Sequence, residues 1–114
     1  MDQPADCIRT VERRNGAIVV EAAGEIDLRR SVAFQQRLLG LLDEKPQVLV
    51  IDLSDVGYMD SSGVATLVKV FSRANRTGTD LRLCGLSDRV RSLFEITRLD
   101  SVFSIYPDRQ EALG

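Results

Sequence analysis

The sequence Met59-Asp60-Ser61-Ser62-Gly63 lies between a stretch typical of a buried strand and a stretch typical of an amphipathic helix. Residues 48–53 are almost all apolar and rich in β-branched side chains, which predicts a strand covered on both faces. Beyond the turn, apolar residues recur with the spacing of one helical face, namely Val64, Leu67, Val68 and Phe71. The turn is therefore expected at the C-terminal edge of a sheet, where open α/β folds gather their functional groups.

A serine at this turn can be interpreted in two ways. Backbone N–H groups and the helix dipole favour negative charge at a helix N-terminus, so a hydroxyl held there is well placed to carry a phosphate. Alternatively, the turn is only a helix cap, in which Asp60 or Ser61 accepts hydrogen bonds from the first backbone N–H groups. The motif alone leaves both interpretations open.

Composition excludes several classes of function. The chain has 114 residues, enough for one domain with its own hydrophobic core, and we expect residues 1–114 to form a single domain. Its net charge of −2 and low aromatic content argue against a nucleic-acid partner. Histidine is absent, which excludes histidine-based triads, metal sites and proton relays. No apolar run approaches the roughly 20 residues of a membrane span, and no signal peptide is evident, so we expect no membrane insertion and a cytoplasmic protein.

The first third of the chain predicts a hairpin and a helix. Strands are expected at residues 7–12 and 17–23, joined across Asn15-Gly16, the strongest short hairpin signal. A helix is then expected to begin near Ser31 as its N-cap and to end before Pro46. Its buried stripe is formed by Phe34, Leu38, Leu41 and Leu42.

The rest of the chain alternates between strands and helices. The strand at 48–53 leads into a helix at 62–76 with Gly78 as its C-terminal cap. A strand at 81–84, a helix starting at Ser87, a strand at 102–106 and a final helical turn follow. Such alternation predicts right-handed βαβ crossovers. The expected fold is α/β, with a mostly parallel sheet of about five strands, an antiparallel N-terminal hairpin and four helices.

Two carboxylates are candidates for the same site. Asp27 follows the second strand and Asp60 follows the third, and parallel strands end at one edge of a sheet. The alternative is that Asp27 is an ordinary exposed loop carboxylate without a role. A pair of carboxylates could also bind Mg²⁺ or act in acid–base chemistry, but the sequence offers no further ligands and no nucleophile–base pair. We therefore predict neither a metal or cofactor site nor catalysis.

Two other features have simple structural interpretations. The basic residues of the second and third helices are interspersed with acidic ones and are typical of a solvated surface; they are Arg73, Arg76, Arg89, Arg91 and Arg98. Cys84 lies in a short apolar strand, where a cysteine usually behaves as a small hydrophobic residue.

On these elements the chain resembles the STAS domain family, and more narrowly the bacterial anti-sigma factor antagonists. The resemblance spans about residues 8 to 106 and rests on five segments in register. They are Gly24-Glu-Ile-Asp27, Ser31, Ile51-Asp-Leu-Ser54, Tyr58-Met-Asp-Ser-Ser-Gly63 and Val90-Arg-Ser-Leu-Phe94.

The resemblance implies a regulatory protein that binds an anti-sigma factor, itself a GHKL-type serine kinase. The kinase would phosphorylate Ser61 and abolish binding, and a PP2C-type phosphatase, which carries its own Mn²⁺ or Mg²⁺, would reverse the modification. Asp27 matches an acidic residue near the phosphorylation site. It is expected to form the partner-binding surface together with the turn residues Met59, Asp60, Ser62 and Gly63. If Asp27 and Asp60 are adjacent, their charges would add to that of the phosphate.

The sequence departs from the antagonist pattern after the motif. Antagonists often continue with Leu-Gly, whereas this chain has Val64 and Ala65. The acceptor serine is intact, but the departure leaves the final target of the pathway open. A constitutive subunit of a lipid-transport ABC complex is the alternative, while a transporter tail is disfavoured because the chain starts at Met1 without membrane segments.

Overall fold

The computed structural model describes residues 4–114 and contains five strands and four helices. The strands are β1 (Ile8–Arg14), β2 (Ala17–Ile26), β3 (Val48–Met59), β4 (Asp80–Cys84) and β5 (Ser104–Tyr106). The helices are α1 (Leu28–Leu42), α2 (Ser61–Thr77), α3 (Asp88–Ile96) and α4 (Arg109–Leu113). A short 3-10 turn at Leu99–Ser101 separates α3 from β5.

The strands form one sheet in the order β1-β2-β3-β4-β5. Only the β1–β2 pair is antiparallel, and the other three pairs are parallel. Asn15 and Gly16 both have positive φ, 48° and 82°, as the predicted tight hairpin requires. The expected α/β architecture, including the antiparallel first strand and the parallel remainder, is confirmed.

The main core lies between one sheet face and helices α1, α2 and α3. Phe34 and Leu38 of α1 are fully buried, and each such side chain contributes about 1.5–3 kcal/mol through burial. Phe103 packs between two other rings, with centroid distances of 5.1 Å to Phe71 and 5.5 Å to Phe94. This aromatic group holds α2, α3 and the segment before β5 together. None of the helices within residues 4–114 is long and apolar enough to cross a membrane.

The start of α1 differs from the prediction. Asp27, not Ser31, is the N-cap: its side chain accepts a hydrogen bond from the Arg29 backbone N–H. Ser31 lies inside the helix, is buried, and donates its hydroxyl to the Leu28 carbonyl. The helix begins earlier because β2 runs on to Ile26, which leaves Asp27 as the first residue free to adopt the extended cap conformation.

Other boundaries also move. β3 continues to Met59 instead of ending at residue 53, because β2 runs alongside it as far as the pair Ile26–Met59. β5 begins at Ser104, since the preceding residues form the 3-10 turn. The predicted start of α3 at Ser87 is confirmed, with Ser87 as its N-cap. The predicted cap Gly78 of α2 is also confirmed, and it has the left-handed φ of 81°.

Candidate functional site

The Ser61 turn lies where β3 ends and α2 begins, at the C-terminal edge of the parallel strands. Asp60 is the N-cap of α2, and Ser61 is the first helical residue. The Asp60 backbone N–H donates to the Ile26 carbonyl at 3.2 Å, so the turn is fastened to the end of the neighbouring strand β2. The backbone path from strand to helix is thus held from both sides.

The Asp60 carboxylate caps α2. One oxygen accepts hydrogen bonds from the Ser62 hydroxyl, from the Ser62 N–H at 2.9 Å and from the Gly63 N–H at 3.3 Å. The Leu28 backbone N–H, in the first turn of α1, faces the carboxylate and also favours its charged form. The hydrogen bond from the Ser62 hydroxyl has the largest effect on the pKa of Asp60, and those from the backbone N–H groups have smaller effects. Together they bring this pKa below its usual value despite burial. Asp60 is therefore ionised at neutral pH, and its carboxylate serves as the N-cap of α2.

The two serines of the turn have different surroundings. Ser61 is exposed, and its hydroxyl makes no hydrogen bond with any residue in the described range. Ser62 is half-buried and gives its hydroxyl to Asp60. Of the two hydroxyls, only that of Ser61 is presented to an approaching macromolecule.

Gly63 allows α2 to approach the ends of the strands closely. A Cβ at this position would lie 2.5 Å from Cγ of Met59, 3.0 Å from Cγ2 of Ile26 and 3.2 Å from the Ile26 carbonyl oxygen. Met59 and Gly63 are both buried. Both residues therefore support the turn from beneath, and their contact with a partner stays a prediction.

Asp27 lies at the same edge of the sheet as Ser61. Ile26 of β2 pairs with Met59 of β3, so the residues that follow the two strands are neighbours. The Asp27 carboxylate contacts Arg29 at 3.1 Å and Arg30 at 3.4 Å. Burial raises the pKa of Asp27, but the hydrogen bond and charge of Arg29 and the charge of Arg30 bring it below its usual value. The carboxylate is thus accompanied by two guanidinium groups, and the edge is less negative than the sequence suggested.

Exposed apolar side chains lie on the two helices that begin at this edge of the sheet. Leu28 is 74% exposed and Val32 is 62% exposed, one turn apart on α1. Val68, two turns beyond Ser61 on α2, is 41% exposed. We call Leu28, Val32 and Val68 the apolar rim of Ser61. Exposed apolar side chains on neighbouring helices are typical of protein-binding surfaces.

The two helices that carry the apolar rim are tied together beside Ser61. The Leu28 backbone N–H at the start of α1 faces Asp60 at the start of α2. One turn further on, the Thr66 hydroxyl donates to the Ser31 carbonyl at 3.3 Å, and both residues are buried. Sequence reasoning missed the rim because it started α1 at Ser31 and so left Leu28 outside the helix.

The remaining candidates do not extend the site. No group of three or more potential metal-binding side chains occurs among residues 4–114. One oxygen of Asp60 already accepts three hydrogen bonds within the turn. Cys84 is fully buried, and burial together with the nearby Asp52 charge raises its pKa to about 12. Its thiolate therefore does not form at neutral pH.

Similar proteins share both the sequence and the fold. The chain is 38% identical over 98 residues to the anti-sigma-B factor antagonist of Listeria monocytogenes, covering 86% of each chain. It is 36% identical over 95 residues to the Bacillus subtilis protein of the same name, covering 83% of this chain and 86% of that one. The crystal structure of an anti-sigma factor antagonist from Mycobacterium paratuberculosis superposes with a TM-score of 0.85 at 30% identity, covering 95% and 92% of the two chains. A model of the STAS domain matches residues 9–112. The chain belongs to the STAS domain family.

Proposed function

We propose that this chain is an anti-sigma factor antagonist that binds its partner through the surface around Ser61 and is released when Ser61 is phosphorylated. The observation that carries the proposal is the exposed hydroxyl of Ser61, which has no partner within the described residues, beside the occupied hydroxyl of Ser62. The antagonist role is supported by the relatives at 36% and 38% identity. A protein of this kind is a regulator and not an enzyme.

The apolar rim suits a partner that docks on a neutral surface. Burial of Leu28, Val32 and Val68 against a partner would contribute to affinity, and the small uncharged Ser61, at the start of the helix that carries Val68, would lie within the contact. Phosphorylation adds close to two negative charges and a hydration shell at Ser61. A partner face shaped for a hydroxyl would then meet a bulky dianion.

The fold can tolerate the phosphate. Ser61 is the first residue of a 17-residue helix, so the helix dipole and nearby N–H groups favour negative charge at this position. Asp27 and Asp60 are already paired or hydrogen-bonded, and Arg29 and Arg30 lie at the same edge. The switch therefore acts on binding and does not require refolding.

The chemistry of the modification would come from the partners. Ser61 has no activating base of its own among the described residues, so a serine kinase must supply ATP, the metal ion and the catalytic base. We propose that the anti-sigma factor is itself such a kinase, of the GHKL type. A PP2C-type phosphatase would remove the phosphate, and all three proteins would act in the cytoplasm.

The alternative is a constitutive subunit of a lipid-transport ABC complex. That role needs no phospho-acceptor, and it would leave the difference between Ser61 and Ser62 without a function. The names of the curated relatives favour the antagonist.

Phosphate mapping tests the acceptor directly. The chain is incubated with ATP and a purified GHKL-type anti-sigma kinase from the same organism, and the phosphopeptides are sequenced by mass spectrometry. We expect phosphate on Ser61, no incorporation in Ser61→Ala, and retained incorporation in the matched control Ser62→Ala. Modification confined to Ser62 would overturn the assignment.

Affinity measurements test the switch. Ser61→Ala keeps the surface neutral and should bind the kinase as tightly as the unmodified protein. Phosphorylated protein should bind more than a hundredfold more weakly, which corresponds to roughly 3–4 kcal/mol. Ser61→Asp should lie between these two, because one carboxylate is an incomplete mimic of a phosphate. Equal affinities for all three forms, measured by titration calorimetry, would show that charge at Ser61 does not control binding.

A further inference from the structure

The sheet face opposite the main core carries a small apolar cluster that is covered by the short helix α4. Val19, Val50 and Cys84 form a small apolar strip on this face, and all three are at most 1% exposed. Their cover is α4, whose Ala112 is fully buried against them and whose Leu113 is partly buried. A helix of five residues thus shields a strip that crosses three strands.

Arg109 is the main polar attachment of α4 to the sheet. Its Nε donates to Asp52 at 2.5 Å, and one terminal nitrogen donates to Glu21 at 2.7 Å. Asp52 is itself buried and also accepts the Ser54 backbone N–H and hydroxyl, at 2.9 and 2.6 Å. At the other end of α4, Arg82 donates to the Ala112 carbonyl at 2.6 Å.

The helix has little stability of its own. Five residues form barely more than one turn, and helices this short depend on tertiary contacts. A cleft of about 390 Å³ lies between the segment that leads into α4 and the middle of β3; its lining includes Ser54, Gly85, Pro107 and Gln110. The attachment therefore rests on a few side chains around a cleft, unlike the close-packed core on the other face.

We propose that α4 is a clasp that opens locally, held by the bonds of Arg109 to Asp52 and Glu21, and that its opening uncovers Cys84 while the rest of the fold stays intact. Local opening of this kind is expected where few apolar contacts and a few polar bonds hold an element. The Cys84 thiol is the natural reporter, since it lies directly beneath the helix. This clasp is independent of the proposed role of Ser61.

Thiol labelling as a function of urea tests the clasp. The full chain is treated with iodoacetamide at low urea concentrations, and labelling of Cys84 is followed by peptide mass spectrometry. Local opening exposes little surface, so the labelling rate should be nearly independent of urea well below the unfolding transition. A rate that rises steeply with urea throughout would mean that Cys84 reacts only after global unfolding, and would overturn the proposal.

Variants identify the attachment. Arg109→Ala removes both bonds and should raise the urea-independent rate about tenfold, as expected for the loss of hydrogen bonds between charged groups. Glu21→Gln keeps the shape and removes one ion pair, so it should give a smaller increase in the same direction. Arg13→Ala is the matched control, because Arg13 makes two bonds of 2.8 and 2.7 Å to Glu44 away from α4. An unchanged rate in both Arg109→Ala and Glu21→Gln, or an equal increase in Arg13→Ala, would refute the role of Arg109.

Discussion

Replacing Gly63 by alanine should destabilise the protein although alanine is the better helix former. A Cβ at this position lies 2.5 Å from Cγ of Met59, whereas carbon atoms prefer about 3.5–4.0 Å. It also lies 3.2 Å from the Ile26 carbonyl, which cannot withdraw easily because it accepts the Asp60 N–H. Alanine gains about 1 kcal/mol of helix propensity, but overpacking a buried site costs about 1–3 kcal/mol, and the fixed carbonyl places the cost at the upper end. We expect a net loss of about 1–2 kcal/mol.

Gly40 offers the matched control for this substitution. It lies in α1, is exposed, and has nothing within 4 Å of the position a Cβ would take. Gly40→Ala should therefore stabilise the protein by about 0.5–1 kcal/mol. Urea unfolding followed by far-UV circular dichroism measures the stability of both variants. In thermal unfolding, the melting temperature of Gly63→Ala should fall by about 4–8 °C for each kcal/mol lost. If Gly63→Ala were as stable as the unmodified protein, the close approach of α2 to the strand ends would not constrain the Ser61 turn.

Three further outcomes follow from the site. Asp27→Asn should keep the melting temperature nearly unchanged, because asparagine is also a good N-cap, whereas Asp27→Ala should lower it. If Asp27 belongs to the partner surface, Asp27→Asn should also slow phosphorylation of Ser61 in a kinase assay. Leu28→Ser should weaken binding to the partner, measured by titration calorimetry, without loss of stability. The control is Ile96→Ser, because Ile96 is 80% exposed on α3, and this variant should leave binding unchanged. Equal effects of the two substitutions on binding would contradict a role for the apolar rim. The pKa values of Asp52 and Asp60 lie below their usual 3.8 in the folded protein. The stability that the two carboxylates contribute is therefore present above about pH 4 and is lost as the pH falls through the lowered values. Urea unfolding at pH 3 and pH 6 checks this sign, since the protein should be less stable at pH 3.

Local patterns were sufficient to predict the order and type of the elements. The Asn15-Gly16 hairpin and the Ser87 and Gly78 caps depend on a few adjacent residues, and the structure has each of them. The boundaries that moved depend on distant partners. β3 extends to Met59 because β2 is long enough to pair with it, a property of two strands separated by a helix.

The candidate site was predicted in outline but not in its division of roles. Strand order implied that Asp27 and the Ser61 turn share an edge, and they do. The N-cap position of Asp27 and its pairing with Arg29 and Arg30 became visible only with the start of α1. Asp60 is predicted on the partner surface, and the structure adds that one of its carboxylate oxygens accepts three hydrogen bonds from Ser62 and Gly63.

The sequence by itself determined the α/β fold and the position of Ser61 at a strand-to-helix turn, because hydrophobic periodicity and turn residues act over a few positions. Only the tertiary structure decided that the partner of the Ser62 hydroxyl is Asp60. It alone brought Arg109 to Asp52 and Glu21, 57 and 88 positions away. Hydrogen bonds and ion pairs between distant residues depend on how whole elements pack, and no local pattern encodes that geometry.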